Sequence, residues 1–248
     1  MEIWYDRQGT GDPLFLLHPG GVDSRAFDVN VAGLKYRFTL WRADRRGHGR
    51  TADVAGPFTF GAMADDLIAL QERHIGPAHV LGCSDGAAVA LTLALRRPDL
   101  VRGLVLVAGV YHHDGWLPGV LDTDEDTLEW LGRSHAEVSP DGEGHYRVVA
   151  AKLDDLHARE PAYTEEDLKG VTARTLVMVG DDDEVRLEHA LQLYRALPDG
   201  ELAVVPGTSH GLLVEKPELC HQMISEFLLR DPVPTFAPIR RRQVGASG

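Results

Sequence analysis

Ser84 stands at the centre of Gly82-Cys83-Ser84-Asp85-Gly86, a G-x-S-x-G run. A serine hydroxyl attacks a carbonyl only when a base takes its proton, and that base needs a carboxylate to hold its tautomer and stabilise its charge. The chain carries candidates for both, in the order Ser, acid, His. The base is His210, in Pro206-Gly207-Thr208-Ser209-His210-Gly211. The acid falls in Asp181-Asp182-Asp183-Glu184; we assign it to Asp183, with Asp182 in reserve. The developing oxyanion needs two N–H donors. One is the backbone N–H of Asp85, directly after the serine and at a helix start. The other comes from His18-Pro19-Gly20-Gly21, where Pro19 has no N–H to give, leaving Gly20, with Gly21 as the alternative. Together these groups would perform acyl transfer through a covalent intermediate.

Such side chains must be held by rigid elements. His79-Val80-Leu81 precedes the serine as a short apolar run, and Ala87 to Leu95 follows as a stretch of helix formers. That context predicts a strand, a sharp turn and a helix, with the hydroxyl lifted above the helix N-terminus. Small neighbours suit a tight turn with a strained backbone. Other strands are predicted at Ile3–Tyr5, Pro13–Leu17, Phe38–Trp41, Leu104–Val107, Leu176–Val179 and Leu202–Val205. Gly9-Thr10-Gly11-Asp12 between the first two suggests an N-terminal hairpin. The later runs are continuously apolar, as strands buried on both faces are. Met63, Leu67 and Leu70 repeat at helical spacing, and further helices are predicted near His189–Ala196 and Pro217–Leu229. The alternation defines an α/β fold with a mostly parallel sheet.

One region breaks it. From Tyr111 to Gly170 no strand is evident, and helical pieces near Glu125–Leu131 and Tyr146–Arg159 are separated by Ser139-Pro140-Asp141-Gly142. The domain reading is therefore a core of 1–110 and 171–230, a helical lid of 111–170 and a tail of 231–248. In the tail, Pro232, Pro234 and Pro238, then Arg240-Arg241-Arg242, cannot sustain a helix; the segment is expected to pack as an extended strap with its last residues frayed.

Composition narrows the partners. The chain has 248 residues, 44% hydrophobic and 25% charged, enough for a sizeable core. A net charge of −13 argues against nucleic acid and anionic membranes, and no apolar run approaches a membrane span. Met1-Glu2-Ile3-Trp4-Tyr5-Asp6 lacks the features of a signal peptide, and Cys83 and Cys220 make no disulfide framework, so a cytoplasmic location is expected. The expected partner is a small-molecule substrate, with a homo-oligomer left open.

Five motifs together resemble the α/β-hydrolase family from about Ile3 to Leu229. They are the elbow, His18-Pro19-Gly20-Gly21, the Gly180–Asp183 step, Pro206-Gly207-Thr208-Ser209-His210, and Asp44-Arg45-Arg46-Gly47-His48-Gly49-Arg50-Thr51, which is similar to the family's D-x-R-G-x-G-x-S turn. Ser84-Asp85-Gly86 is similar to the elbow of valacyclovir-hydrolase-type esterases. The resemblance implies an eight-stranded sheet with the lid inserted after the sixth strand. It implies a serine hydrolase of esters, thioesters or lactones and no cofactor. The same fold and triad also serve C–C bond hydrolysis, perhydrolysis, lyase and acyl-transfer reactions, and less often a receptor. Pro19 stands where members usually carry Gly, and Ala87 where many have a second Gly. Tyr111, His112 and Trp116, where the lid begins, are expected to shape the pocket. No metal is expected: His112 and His113 in an extended segment would point to opposite faces. Cys83 is expected to be buried and inert.

Overall fold

The computed structural model describes residues 1–142, 144–232 and 234–239. These form a single sheet of β1 (Tyr5–Gly9), β2 (Asp12–Leu17), β3 (Phe38–Ala43), β4 (Ala78–Cys83), β5 (Val101–Val107), β6 (Thr175–Gly180) and β7 (Gly200–Val205), in the order β1-β3-β2-β4-β5-β6-β7. Every neighbouring pair is parallel except β1 and β3. The helices are α1 (Asp28–Leu34), α2 (Phe60–His74), α3 (Asp85–Arg96), α4 (Glu125–Ala136), α5 (Tyr146–His157), α6 (Glu165–Leu168), α7 (Leu187–Ala196), α8 (Leu212–Glu215) and α9 (Pro217–Leu229).

Alternation along each strand sends side chains to two cores. Phe15, Leu17, Val80, Leu104, Leu106, Val177 and Val179 pack beneath α2, α3 and α7. Leu14, Leu16, Leu81, Val105, Val107, Leu176 and Met178 face the other way, beneath α1 and α9. The central strands are therefore buried on both faces, which explains their continuous apolar runs. Burial of each such side chain contributes ~1.5–3 kcal/mol. Helix starts are set locally. Thr59 accepts from the Ala62 N–H ahead of α2, Asp124 from the Thr127 N–H ahead of α4, and Thr164 forms a capping box with Asp167 at α6.

Four expectations are corrected. The described residues form seven strands, not eight, and the helical excursion follows the fifth, between Val107 and Thr175. Met1–Trp4 forms no strand; Trp4 instead donates its N–H to Thr51 Oγ1 (2.9 Å) and accepts the Asp44 N–H (3.0 Å). The N-terminal hairpin is also absent, because β3 lies between β1 and β2. Thr10 donates to the Lys35 carbonyl between Gly9 (φ +86°) and Gly11 (φ +116°), so the link passes the start of β3 and leaves a strand on each side of it.

Among the described residues the excursion carries α4, α5 and α6, with isolated bridges at His112–Ala162 and Trp116–Val185. Among the described residues no helix is long and apolar enough to cross a membrane. The described part of the tail contains neither helix nor strand, and the fraying expected of its last residues lies outside the described residues.

Candidate active site

Ser84 directly follows β4, with φ 55° and ψ −121°, a left-handed backbone that residues with side chains rarely adopt. The flanking glycines make the turn possible. A Cβ on Gly82 would stand 2.0 Å from the Gly86 carbonyl oxygen, and one on Gly86 would stand 2.0 Å from the Leu17 oxygen. The first turn of α3 therefore lies directly against the end of β2. That close approach brings the His18–Gly21 loop beside the serine.

The loop after β7 supplies His210 and the loop after β6 supplies Asp183. His210 Nε2 lies 3.0 Å from Ser84 Oγ, and its Nδ1 lies 2.9 Å from Asp183 Oδ1. The Gly180 and Val185 N–H groups donate to Asp183 at 3.0 and 3.1 Å, which fixes the carboxylate from behind. The two loops are tied together: the Thr208 N–H donates to Asp181 Oδ1, and the Asp182 N–H donates to the Thr208 carbonyl. Asp182 is exposed, so of the two candidate acids only Asp183 meets the imidazole. Burial disfavours the charged carboxylate, yet His210 and the two N–H donors hold the Asp183 pKa below its ordinary value. Burial likewise pulls the His210 pKa down, but Asp183 outweighs it and holds it above the usual histidine value.

Asp85 opens α3, so its N–H has no acceptor within the helix. Its side chain does more than cap. Oδ1 lies 2.8 Å from His157 Nε2 at the end of α5, and Oδ2 is buried without a hydrogen-bond partner. Burial would raise this carboxyl, but His157 and Arg45 outweigh it and hold the pKa at about 2. Burial lowers the His157 pKa, and Asp85 more than compensates, leaving it raised. Gly20 packs against Asp85 so tightly that a Cβ there would stand 2.2 Å from Oδ2.

Ser84, His210, Gly20, Gly21 and Asp85 all line a cavity of about 230 Å³ to which α4 and α5 also contribute side chains. Leu128, Leu131, Tyr146 and Leu153 give it apolar walls, and Trp116 meets the His210 ring edge-on with centroids 5.7 Å apart. Of the three residues expected in the pocket, Trp116 lines it and the other two do not. Tyr111 is turned into the core, where it stacks on His189 at 4.2 Å. His112 begins a tight turn and its Nδ1 accepts the Asp114 N–H. Sequence reading missed His157, Asp154 and the leucines. The usable signal was the one-sided spacing of Tyr146, Ala150, Leu153, Asp154 and His157 along a predicted helix.

Outside the cavity lining, His112, His113 and Asp114 bring one potential ligand atom each within 4.8 Å of one another. The expectation that the two imidazoles diverge is corrected: the turn at His113–Gly115 stacks the rings at 4.4 Å. Cys83 is buried and unpaired, and its pKa is pushed up to about 12 by burial, which leaves an inert thiol.

A parallel sheet with α-helices on both faces, and a serine on a strained turn at the end of its central strand, defines a class of hydrolase folds. Residues 14–222 match the model of the alpha/beta hydrolase family, and the chain belongs to that family. Among curated relatives, RutD of Caulobacter sp. (strain K31), which is assigned as a carbamate hydrolase, is 28% identical over 90% of this chain and 98% of its own length. The enol-lactonase of Burkholderia xenovorans LB400 superposes with a TM-score of 0.73 at 20% identity, covering 92% of this chain and 96% of the other. The meta-cleavage product hydrolase of Pseudomonas fluorescens IP01 gives a TM-score of 0.73 at 20% identity, covering 91% and 93% of the two chains.

Proposed function

We propose that this protein is a serine hydrolase that cleaves a small carboxylic ester, thioester or lactone through an acyl-enzyme. One observation carries the reading: a single imidazole contacts Ser84 Oγ at 3.0 Å and Asp183 at 2.9 Å through its two nitrogens. In this mechanism Ser84 Oγ attacks the substrate carbonyl while His210 Nε2 takes its proton. Asp183 holds the Nδ1–H and stabilises the imidazolium. The N–H groups of Asp85 and Gly20 receive the oxyanion, each worth roughly 3 kcal/mol in the transition state. His210 returns the proton to the leaving group, then activates the water that releases the acid. The cavity, about 230 Å³, is smaller than the ~300–1,000 Å³ of sites for drug-sized ligands, which favours short acyl and alcohol portions. We further read α4 and α5 as the lid that sets substrate shape, and the protein as a cytoplasmic enzyme.

The test is hydrolysis of p-nitrophenyl acetate by the wild type and Ser84→Ala. The variant should lose roughly 10⁴–10⁶-fold in kcat. A fluorophosphonate should add its mass to the Ser84 peptide of the wild type alone. Equal turnover in both proteins would rule the mechanism out.

A further inference from the structure

Arg45 is almost wholly buried, at 1% exposure, and belongs to neither the sheet nor the Ser84–His210–Asp183 set. A buried guanidinium is costly unless its donors are used. Here Nε is buried without a partner, and the two Nη groups converge on the loop that precedes Gly20. Nη1 donates to the His18 carbonyl at 2.6 Å and Nη2 to the Pro19 carbonyl at 2.9 Å. The Arg45 backbone N–H donates to His18 Nε2 at 3.1 Å, which places the imidazole proton on Nδ1. That Nδ1–H in turn donates to the Pro19 carbonyl at 2.7 Å. Burial drives the His18 pKa well down, so the ring is neutral and can donate at one nitrogen while accepting at the other. Burial also lowers Arg45, to about 10, which still leaves it a cation at neutral pH.

The Pro19 carbonyl is therefore gripped from two sides. The Pro19–Gly20 peptide is trans and planar, so its C=O and its N–H point in opposite directions. Fixing one fixes the other. With the carbonyl turned to Arg45 and His18, the Gly20 N–H is directed away from them, and Gly20 itself lines the cavity and lies against Asp85. Pro19 has no N–H with which to anchor its own stretch of loop. A side chain must hold it from outside, and a planar fork reaches two successive carbonyls as a single ammonium cannot.

We propose that Arg45, acting with neutral His18, is a positioning residue that sets the Pro19–Gly20 peptide plane so that the Gly20 N–H serves the oxyanion. The proposal rests on the reading of Ser84 as the nucleophile. Arg45 touches no reacting atom; its effect passes through the loop.

The test compares Arg45→Gln and Arg45→Lys with the wild type. Three readouts are used: p-nitrophenyl acetate kinetics, inhibition by phenylboronic acid, whose serine adduct mimics the tetrahedral state, and crystal structures of the variants. Arg45→Gln should lower kcat by about 10²-fold, the scale of one lost oxyanion donor, while KM stays within about threefold. The boronate should weaken in parallel. Arg45→Lys, a point donor able to hold one carbonyl, should fall between. The Pro19 carbonyl should rotate away from its wild-type position in Arg45→Gln. Folded variants with kcat and boronate affinity within about threefold of wild type, or a native Pro19–Gly20 plane, overturn the proposal. If Arg45→Gln does not fold, Arg45→Lys, which keeps the buried cation, decides by the same readouts. If the wild type is not labelled at Ser84, the nucleophile reading fails instead, and the peptide plane in the variant crystals still decides whether Arg45 sets the loop.

Discussion

Two aspartate–histidine pairs border the same cavity, and they are built differently. Asp183 and His210 both sit on loops, the ones that follow β6 and β7. Both Asp183 oxygens accept a backbone N–H, and the histidine's second nitrogen is left for Ser84. Asp85 and His157 instead join the elbow to α5 of the helical excursion. There the imidazole uses Nε2 on the acid, and one Asp85 oxygen is buried without a partner. In both pairs the carboxylate outweighs burial and raises the histidine pKa. The same two residue types thus give a pair aimed at Ser84 when both are held by loops after strands, and a tie between core and excursion when one partner rides on a helix.

The comparison breaks most sharply at Asp183. Asp183→Asn should lower kcat by about 10⁴-fold, because the amide can stabilise neither the tautomer nor the imidazolium. It should also move a pH limb. His210 must be neutral to act as base, and its pKa is raised, so wild-type kcat/KM should climb with pH through a value above 6.5. In the variant the residual rate should climb at lower pH. A pH profile unchanged by the substitution would mean that Asp183 does not govern His210.

His157→Ala should act on stability instead. Removing the partner of a buried carboxylate costs about 2 kcal/mol, or roughly 4–8 °C in Tm for a domain of this size. His157 is raised, so its contribution is full below 6.5 and is lost as pH rises through its folded value; Asp85 is lowered, so its contribution is lost as pH falls from 3.8 towards about 2. The Tm gap between wild type and variant should be widest between those limits in a calorimetric series. His157→Gln, which keeps a donor for Asp85, should narrow it. A gap independent of pH would show that the ion pair is not its source.

The smallest effect belongs to Asp182. Its side chain is exposed and the bond it makes to the His210 loop comes from its backbone N–H. Asp182→Asn should keep kcat within about twofold, and a loss near that of Asp183→Asn would reverse the assignment of the acid.

Local rules made much of this legible. The Gly82–Gly86 run between an apolar strand and a helix-forming stretch specifies its turn chemically, since bulk at Gly82 or Gly86 collides with backbone 2.0 Å away. Strand runs buried on both faces stand out by composition, so β2 to β6 were readable; β7 was readable from its apolar run although, at the sheet edge, it is only partly buried and Val204 is exposed. Pairing was not, because hydrogen bonds between strands carry no mark in either sequence, and β3 slid between β1 and β2. Tyr111 and His112 stand beside Trp116 in the chain, yet only Trp116 faces the cavity, since a single turn at His113–Gly115 redirects the backbone.

The sequence by itself determined the nucleophile candidate, its base, the run containing its acid and the loop beside it, because each depends on residue type and the order of elements. Only the tertiary structure decided which aspartate meets His210, that His157 closes on Asp85 across 72 positions, and that Arg45 reaches back across 27 and 26 positions to hold the His18 and Pro19 carbonyls. Those contacts join segments distant along the chain. Their energy comes from burial and fixed geometry, which exist only once the sheet has brought the strand ends together.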